Sequence, residues 1–251
     1  MLLTVENITK RYRRGGKIEE VLCRVNLNVE AGEIVGLVGE SGSGKSTLAR
    51  VIMQLEAPES GVVSFNGAPV TRHARKSFYE ECQLIFQNAS AALNPSWTVR
   101  EIFMEPLRRM KGDREAHIHR MLGKVKLKEE HLNKRPGELS GGEKQRVNLL
   151  RSILVGPKLL VCDEIVSNLD RIIQREIIDL LLELNRETGM AILFIAHDLR
   201  VVEYMCERIY IMKNGEIVDR SVKMEGEFEF NHPYSKMLFE SVLGNSVRGQ
   251  S

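Results

Sequence analysis

Gly39 to Ser46 read GESGSGKS, which fits the phosphate-loop pattern G-x-x-x-x-G-K-[ST] at every position. The chemistry of such a stretch is direct. Its glycines let the backbone curl until successive N–H groups point at phosphate oxygens. The helix formers that follow add about half a positive charge at their N-terminus. Lys45 is placed to reach the β- and γ-phosphates of a nucleotide. Ser46 is placed to put its hydroxyl on Mg2+, an ion that takes few protein ligands and keeps several waters. Gly39, Glu40, Ser41, Gly42, Ser43, Gly44, Lys45, Ser46 and Thr47 are therefore candidate nucleotide-binding residues.

A second stretch, LVCDEIVSNLD from Leu160 to Asp170, ends an apolar run in two adjacent acids. In a parallel sheet, ligands gather at the carboxyl ends of the strands. Asp163 there is a candidate to hold the Mg2+ shell with Ser46. Glu164 is a candidate to orient and deprotonate an attacking water. A free glutamate, with a pKa of about 4.3, is a weak base, but in a closed site alignment outweighs basicity. A lone acid pair at a strand end is ordinarily a solvated terminus; a complete phosphate loop elsewhere in the chain favours chemistry.

The elements that must position these residues follow from pattern. EIVGLVG (33–39), QLIFQ (83–87), KLLVCDE (158–164) and AILFIA (191–196) are short apolar runs that read as buried parallel strands. LARVIMQL after the loop has helical spacing. Ile173, Ile177, Leu180, Leu181 and Leu184 share one helical face. LLTVENITKRY and VLCRVNLNVEAGE read as strands, and Asn66-Gly67 and Asn214-Gly215 as hairpin turns. From Asn88 to about Gly156 helix formers, charges and methionines dominate, as in an inserted helical segment. In the tail, Tyr234, Met237, Leu238 and Val242 fall on one helical face. Strands alternating with helices predict a parallel α/β core.

Bulk composition narrows the classes. The 251 residues are 43% hydrophobic and 28% charged, with a net charge of +2, so no global charge signals nucleic acid or an anionic membrane. Cys23, Cys82, Cys162 and Cys206 form no CxxC pair and match no zinc spacing; free thiols in a reducing compartment are expected. The N-terminus turns polar too soon for a signal peptide. No apolar stretch reaches the roughly 18–20 residues that cross a bilayer.

LSGGEKQR, Leu139 to Arg146, resembles the signature of ATP-binding cassette (ABC) ATPases, in which this segment meets the ATP held by the other ATPase of a dimer. The resemblance spans roughly Leu3 to Asp219. It implies a P-loop NTPase α/β core with a mainly parallel sheet, an antiparallel β subdomain and an inserted α-helical subdomain. The expected division is 1–87 with 157–222 for the ATP-binding core, 88–156 for the helical subdomain and 223–251 for a short tail. It further implies that Ser140, Gly141, Gly142 and Glu143 act on the partner's ATP and that Tyr12 stacks on adenine. Gln87 is implied to touch Mg2+ and the attacking water, His197 to contact the γ-phosphate, and Asp170 to reach across the dimer. Implied partners are a second, non-identical ABC ATPase, two membrane permease subunits and, indirectly, an extracytoplasmic substrate-binding protein, with the chain on the cytoplasmic side of the membrane and no nucleic acid. QNASAALNPSWTVREIFMEPL (87–107) and HPYSKMLFESVL (232–243) resemble the dipeptide, oligopeptide and nickel importer branch. Ile165, where this family usually has proline, together with VSNLD and the short tail, points to the nickel or metal-chelate side of it. A peptide importer ATPase is the alternative. A non-transport ABC ATPase would be expected to show coiled-coil insertions, zinc modules or a second cassette, and a small-molecule kinase has no reason to carry LSGGEKQR.

Overall fold

The computed structural model describes residues 1–86, 92–167 and 169–247, with only the backbone of Arg14 and residues 241–247. Two sheets organise it. The smaller is antiparallel, in the order β2-β1-β4-β5, from β1 (Leu3–Arg14), β2 (Lys17–Val29), β4 (Ser60–Phe65) and β5 (Ala68–Pro69). The larger has seven strands in the order β11-β10-β9-β3-β8-β7-β6. Its centre is parallel: β3 (Ile34–Val38) lies between β8 (Ala191–Ala196) and β9 (Arg208–Lys213), with β7 (Leu159–Asp163) and β6 (Cys82–Ile85) beyond β8. The remaining strands, β10 (Glu216–Met224) and β11 (Glu227–Phe228), run antiparallel to their neighbours. The second hairpin thus extends the large sheet, whereas the first belongs to the small one.

The central strands are apolar throughout because both faces are covered. On β7, Leu160 and Cys162 join one core while Leu159 and Val161 join the other; on β8, Ile192 and Phe194 alternate in the same way with Leu193 and Ile195. One face is packed by the small sheet and by α1 (Lys45–Ile52), through Leu48, Ala49, Val51 and Ile52. The other carries α5 (Gly141–Ile153), α6 (Arg171–Thr188), α7 (Leu199–Met205) and short helices between β6 and β7, among them α3 (Val99–Met104) and α4 (Arg114–Leu122). The remaining helix of the core, α2 (Arg75–Glu81), leads directly into β6. Both Asn-Gly hairpin turns form as expected: Asn66 and Gly67 have φ 51 and 76, and Asn214 and Gly215 have φ 49 and 82, the pair of positive values that a tight hairpin requires.

Two local expectations change. Helix α1 starts at Lys45, ahead of the apolar run, because Gly44 at φ 108 turns the loop straight into it. In the C-terminal helix α8 (Pro233–Val247), Tyr234 is buried but Met237 is 57% exposed. The buried side is set instead by Phe239, whose ring lies 4.1 Å from that of Phe230, with Leu238 partly buried beside it. The side chain of Val242 lies outside the described residues. Cys82, Cys162 and Cys206 are free and buried, and burial raises each thiol's pKa.

Candidate nucleotide-hydrolysis site

The parallel registers bring the predicted residues to one edge. Val38 pairs with Ala196 and Asp163 with Ile195, while Ile85 pairs with Cys162. The residues that follow each strand therefore emerge side by side: Gly39 after β3, Glu164 after β7, His197 after β8. Gln87 follows β6 but lies outside the described residues.

The loop itself is tightly supported. A Cβ on Gly39 would sit 2.1 Å from the Met212 carbonyl oxygen, and one on Gly44 2.8 Å from that of Val21, so neither position accepts a side chain. The β9–β10 turn braces the loop from outside, where the Gly215 N–H donates to the Ser43 carbonyl over 3.0 Å. Lys45 is 4% exposed. Its Nζ donates to the carbonyl oxygens of Gly39 and Glu40, both at 2.8 Å, and more weakly to Ser43 Oγ at 3.4 Å. Burial lowers its pKa, and the charges of Glu164, Asp163 and Glu40 oppose that shift. An ammonium already held by curled carbonyls is aimed before any phosphate arrives.

Ser46 Oγ donates to Asp163 Oδ1 over 3.1 Å. Asp163 is 8% exposed; burial raises its pKa, and the Ser46 hydroxyl is the main influence holding it down. Two hard oxygens brought together beside a phosphate loop form a donor set that suits Mg2+, which completes its shell with water and phosphate. Bound there, the ion would be held by Ser46 and Asp163 and would neutralise charge on the transferring phosphoryl group.

Glu164 stands at φ 50, a left-handed backbone that costs a residue other than glycine about 1–2 kcal/mol. Its N–H donates to the Ile195 carbonyl (3.0 Å), and its own carbonyl accepts from the Ser167 N–H (3.2 Å) and Ser167 Oγ (2.9 Å). These three bonds hold the twisted backbone and turn the carboxylate to the sheet edge, 19% exposed, with Oε2 3.7 Å from His197 Nδ1. The His197 side chain is 55% exposed. Tyr12, on β1, donates its hydroxyl to Glu56 and has the Thr47 hydroxyl within hydrogen-bonding reach. Burial is the largest cause of its raised pKa. The tyrosine therefore stands against the start of α1.

Ser140, Gly141, Gly142 and Glu143 stand at the start of α5. Ser140 caps α5: its Oγ accepts from the Glu143 N–H (3.2 Å) and its N–H donates to Glu143 Oε2 (2.7 Å). That capping box is legible in the SGGE spacing and gives Glu143 a local role the signature resemblance does not mention; its pKa is lowered chiefly by the Ser140 N–H. Gly142 packs on α6, where an added Cβ would meet Ile173 at 3.0 Å. Asp170 caps α6, with Oδ1 accepting from the N–H groups of Ile172 and Ile173 at 3.0 Å each. Three further contacts had no sequence signal because each joins segments apart in the chain. His131 Nε2 lies 3.1 Å from Glu143 Oε1. Arg146, 6% exposed, bonds the Val125 carbonyl and pairs with Glu176.

A phosphate loop, a strand-end carboxylate pair and a serine-capped glycine pair on one α/β scaffold define an ABC-type ATPase. Residues 22–167 match the family model described as ABC transporter, and the chain belongs to that family. It binds ATP, and its hydrolysis of ATP is coupled to transport. It is 42% identical to the nickel import ATP-binding protein NikE of Escherichia coli strain K12, over 96% of this chain and 94% of that protein. Among solved structures it resembles the ATP-binding cassette MJ0796 in a dimeric post-hydrolysis state with ADP and Pi. That match has a TM-score of 0.79 and 30% identity, and covers 88% of this chain and 98% of the other. The fold is shared with cbiO1 of Clostridium perfringens at TM-score 0.80 and 24% identity, over 99% and 95% of the two chains. The P-loop NTPase cassette fold expected from the sequence is the one observed. No helix among the described residues is long and apolar enough to cross a membrane.

Proposed function

We propose that this chain is the ATPase subunit of an importer for nickel or a nickel chelate, acting at the cytoplasmic face of the membrane with a second, non-identical ATPase, two permeases and an extracytoplasmic binding protein. The observation that carries the catalytic part is the Ser46–Asp163 hydrogen bond, which joins the phosphate loop to the strand-end acids. In this reading Mg2+ is held by Ser46 and Asp163, with Gln87 added from the helical side. Lys45 and the loop N–H groups bind the phosphates, and Tyr12 supports the adenine. Glu164 takes the proton of the attacking water, and His197, within 3.7 Å of it, meets the γ-phosphate. Ser140, Gly141, Gly142 and Glu143 complete the partner's site, and Asp170 joins the dimer contact besides capping its helix.

The proposed division is a core of 1–87 and 157–222, a helical subdomain of 88–156 and a tail of 223–251. A groove of about 870 Å³ between α2 and the insertion, lined by Tyr79, Gln83, Leu107, Arg109 and Met110, is the proposed seat of a permease helix. Nickel as cargo rests on the likeness to the E. coli protein. Uptake of labelled nickel and of a labelled dipeptide, compared in a strain lacking this chain, tests it. Loss of nickel uptake with dipeptide uptake intact is expected; the reverse outcome assigns the chain to peptide import.

A further inference from the structure

The start of α5 is held from outside its own helix. His131 stands in a single 3₁₀ turn, Glu129–Asn133, between α4 and α5, and is 6% exposed. That turn is itself anchored: Leu132 is fully buried in the core, and the Val99 N–H donates to the Lys134 carbonyl over 2.9 Å. His131 Nδ1 faces the Lys128 N–H at 2.9 Å and the Lys128 carbonyl at 3.1 Å. Its Nε2 lies 3.1 Å from Glu143 Oε1. An ionised carboxylate has no proton to give, so whichever Lys128 group Nδ1 engages, Nε2 carries a proton and donates it to Glu143.

Glu143 is thereby engaged at both oxygens. Oε2 accepts from the Ser140 N–H at 2.7 Å, and the Glu143 N–H returns a bond to Ser140 Oγ at 3.2 Å. In that bond the Ser140 hydroxyl uses a lone pair and keeps its O–H to donate. The Glu143 side chain is 33% exposed, and a glutamate at such a place has several rotamers open to it. The buried histidine selects the one that closes on Ser140. We propose that His131 is a positioning residue for the signature segment: by donating Nε2–H to Glu143 it holds the capping box that sets Ser140 for the partner's ATP. This rests on the reading of Ser140–Glu143 as completing the partner's site.

The test compares His131→Leu, His131→Gln, Glu143→Ala, the double variant His131→Leu with Glu143→Ala, and Ser140→Ala. ATP affinity is measured by calorimetry on the full chain, and kcat for ATP hydrolysis in the assembled transporter. His131→Leu keeps the bulk and removes the donor. The expected result is ATP affinity of the single chain unchanged, since Gly39–Thr47 are untouched, with kcat lowered about tenfold, the weight of one hydrogen bond to a charged group. His131→Gln, whose amide nitrogen restores a donor, is expected to return kcat to within about threefold of the parent. In the Glu143→Ala background His131→Leu is expected to cost nothing more, because no carboxylate is left to position. If His131→Leu turns over within twofold of the parent while Ser140→Ala is impaired, the inference fails alone. Loss of single-chain ATP affinity in His131→Leu, no recovery in His131→Gln, or a further tenfold loss in the double variant would each make the ring a structural filler and overturn it. If Ser140→Ala turns over like the parent, the reading of the signature segment fails with it.

Discussion

Glu164→Gln isolates the proposed base because the exchange keeps size, backbone and neighbours. Glutamine is no more strained than glutamate at φ 50. The bonds that hold the turn, Glu164 N–H to Ile195 and Ser167 to the Glu164 carbonyl, use backbone atoms of residue 164 only. Stability should therefore stay within about 0.5 kcal/mol of the parent. The charge lost lies near Asp163 and Lys45, on whose protonation Glu164 acts, and it would face the triphosphate. Removing it leaves ATP binding intact or tighter. What disappears is general-base assistance, about a hundredfold to ten-thousandfold in rate, or about 3–5 kcal/mol of barrier. The assay is steady-state phosphate release by the assembled transporter, with ATP affinity measured in parallel. Turnover within twofold of the parent, at equal ATP occupancy, would refute the assignment of Glu164 as base.

Three further outcomes are expected. Lys45→Ala removes the buried ammonium that bridges Gly39 and Glu40 and should abolish measurable ATP binding in a calorimetric titration. Gly39→Ala pushes a methyl group to 2.1 Å from the Met212 backbone oxygen; the strand end must move, and a loss of at least about 2 kcal/mol in denaturant unfolding should accompany loss of nucleotide binding. Asp170→Ala removes the cap of α6 and should cost about 1 kcal/mol, whereas Asp170→Asn keeps the cap; lower ATPase in the assembled complex with normal stability for the asparagine variant would mark a role beyond capping.

The centre of the fold was legible because its strands are buried on both faces. Val35 and Leu37 had no choice but apolar neighbours, and the same holds for Val161 and Leu193. The phosphate loop was legible because glycine, lysine and serine each answer a separate demand at a fixed spacing. What escaped notice depends on contacts between segments far apart in the chain. No local pattern links His131 to Glu143, or Arg146 to Glu176, since sheet order and helix roll decide them. The tail shows the limit of periodicity: Tyr234, Met237, Leu238 and Val242 share one helical face by spacing, yet Met237 lies in solvent while Phe239 packs on Phe230. Asp170 and Ser140 show the reverse case. A cap is readable from type and position, and capping is compatible with the roles proposed for those residues across an interface.

Ile165 follows from the same geometry. A proline there would press the preceding residue toward extended backbone, and Glu164 is not extended but left-handed. The turn from Glu164 to Ser167 is held instead by hydrogen bonds and by burial. Ile165 is 2% exposed and Val166 4%, both in the core on the helical side of the sheet, and a fully buried isoleucine is worth about 1.5–3 kcal/mol. That burial offsets the roughly 1–2 kcal/mol of left-handed strain at Glu164. Side-chain packing here does the anchoring that a proline ring would do through its fixed φ, and it does so without constraining Glu164, the proposed base.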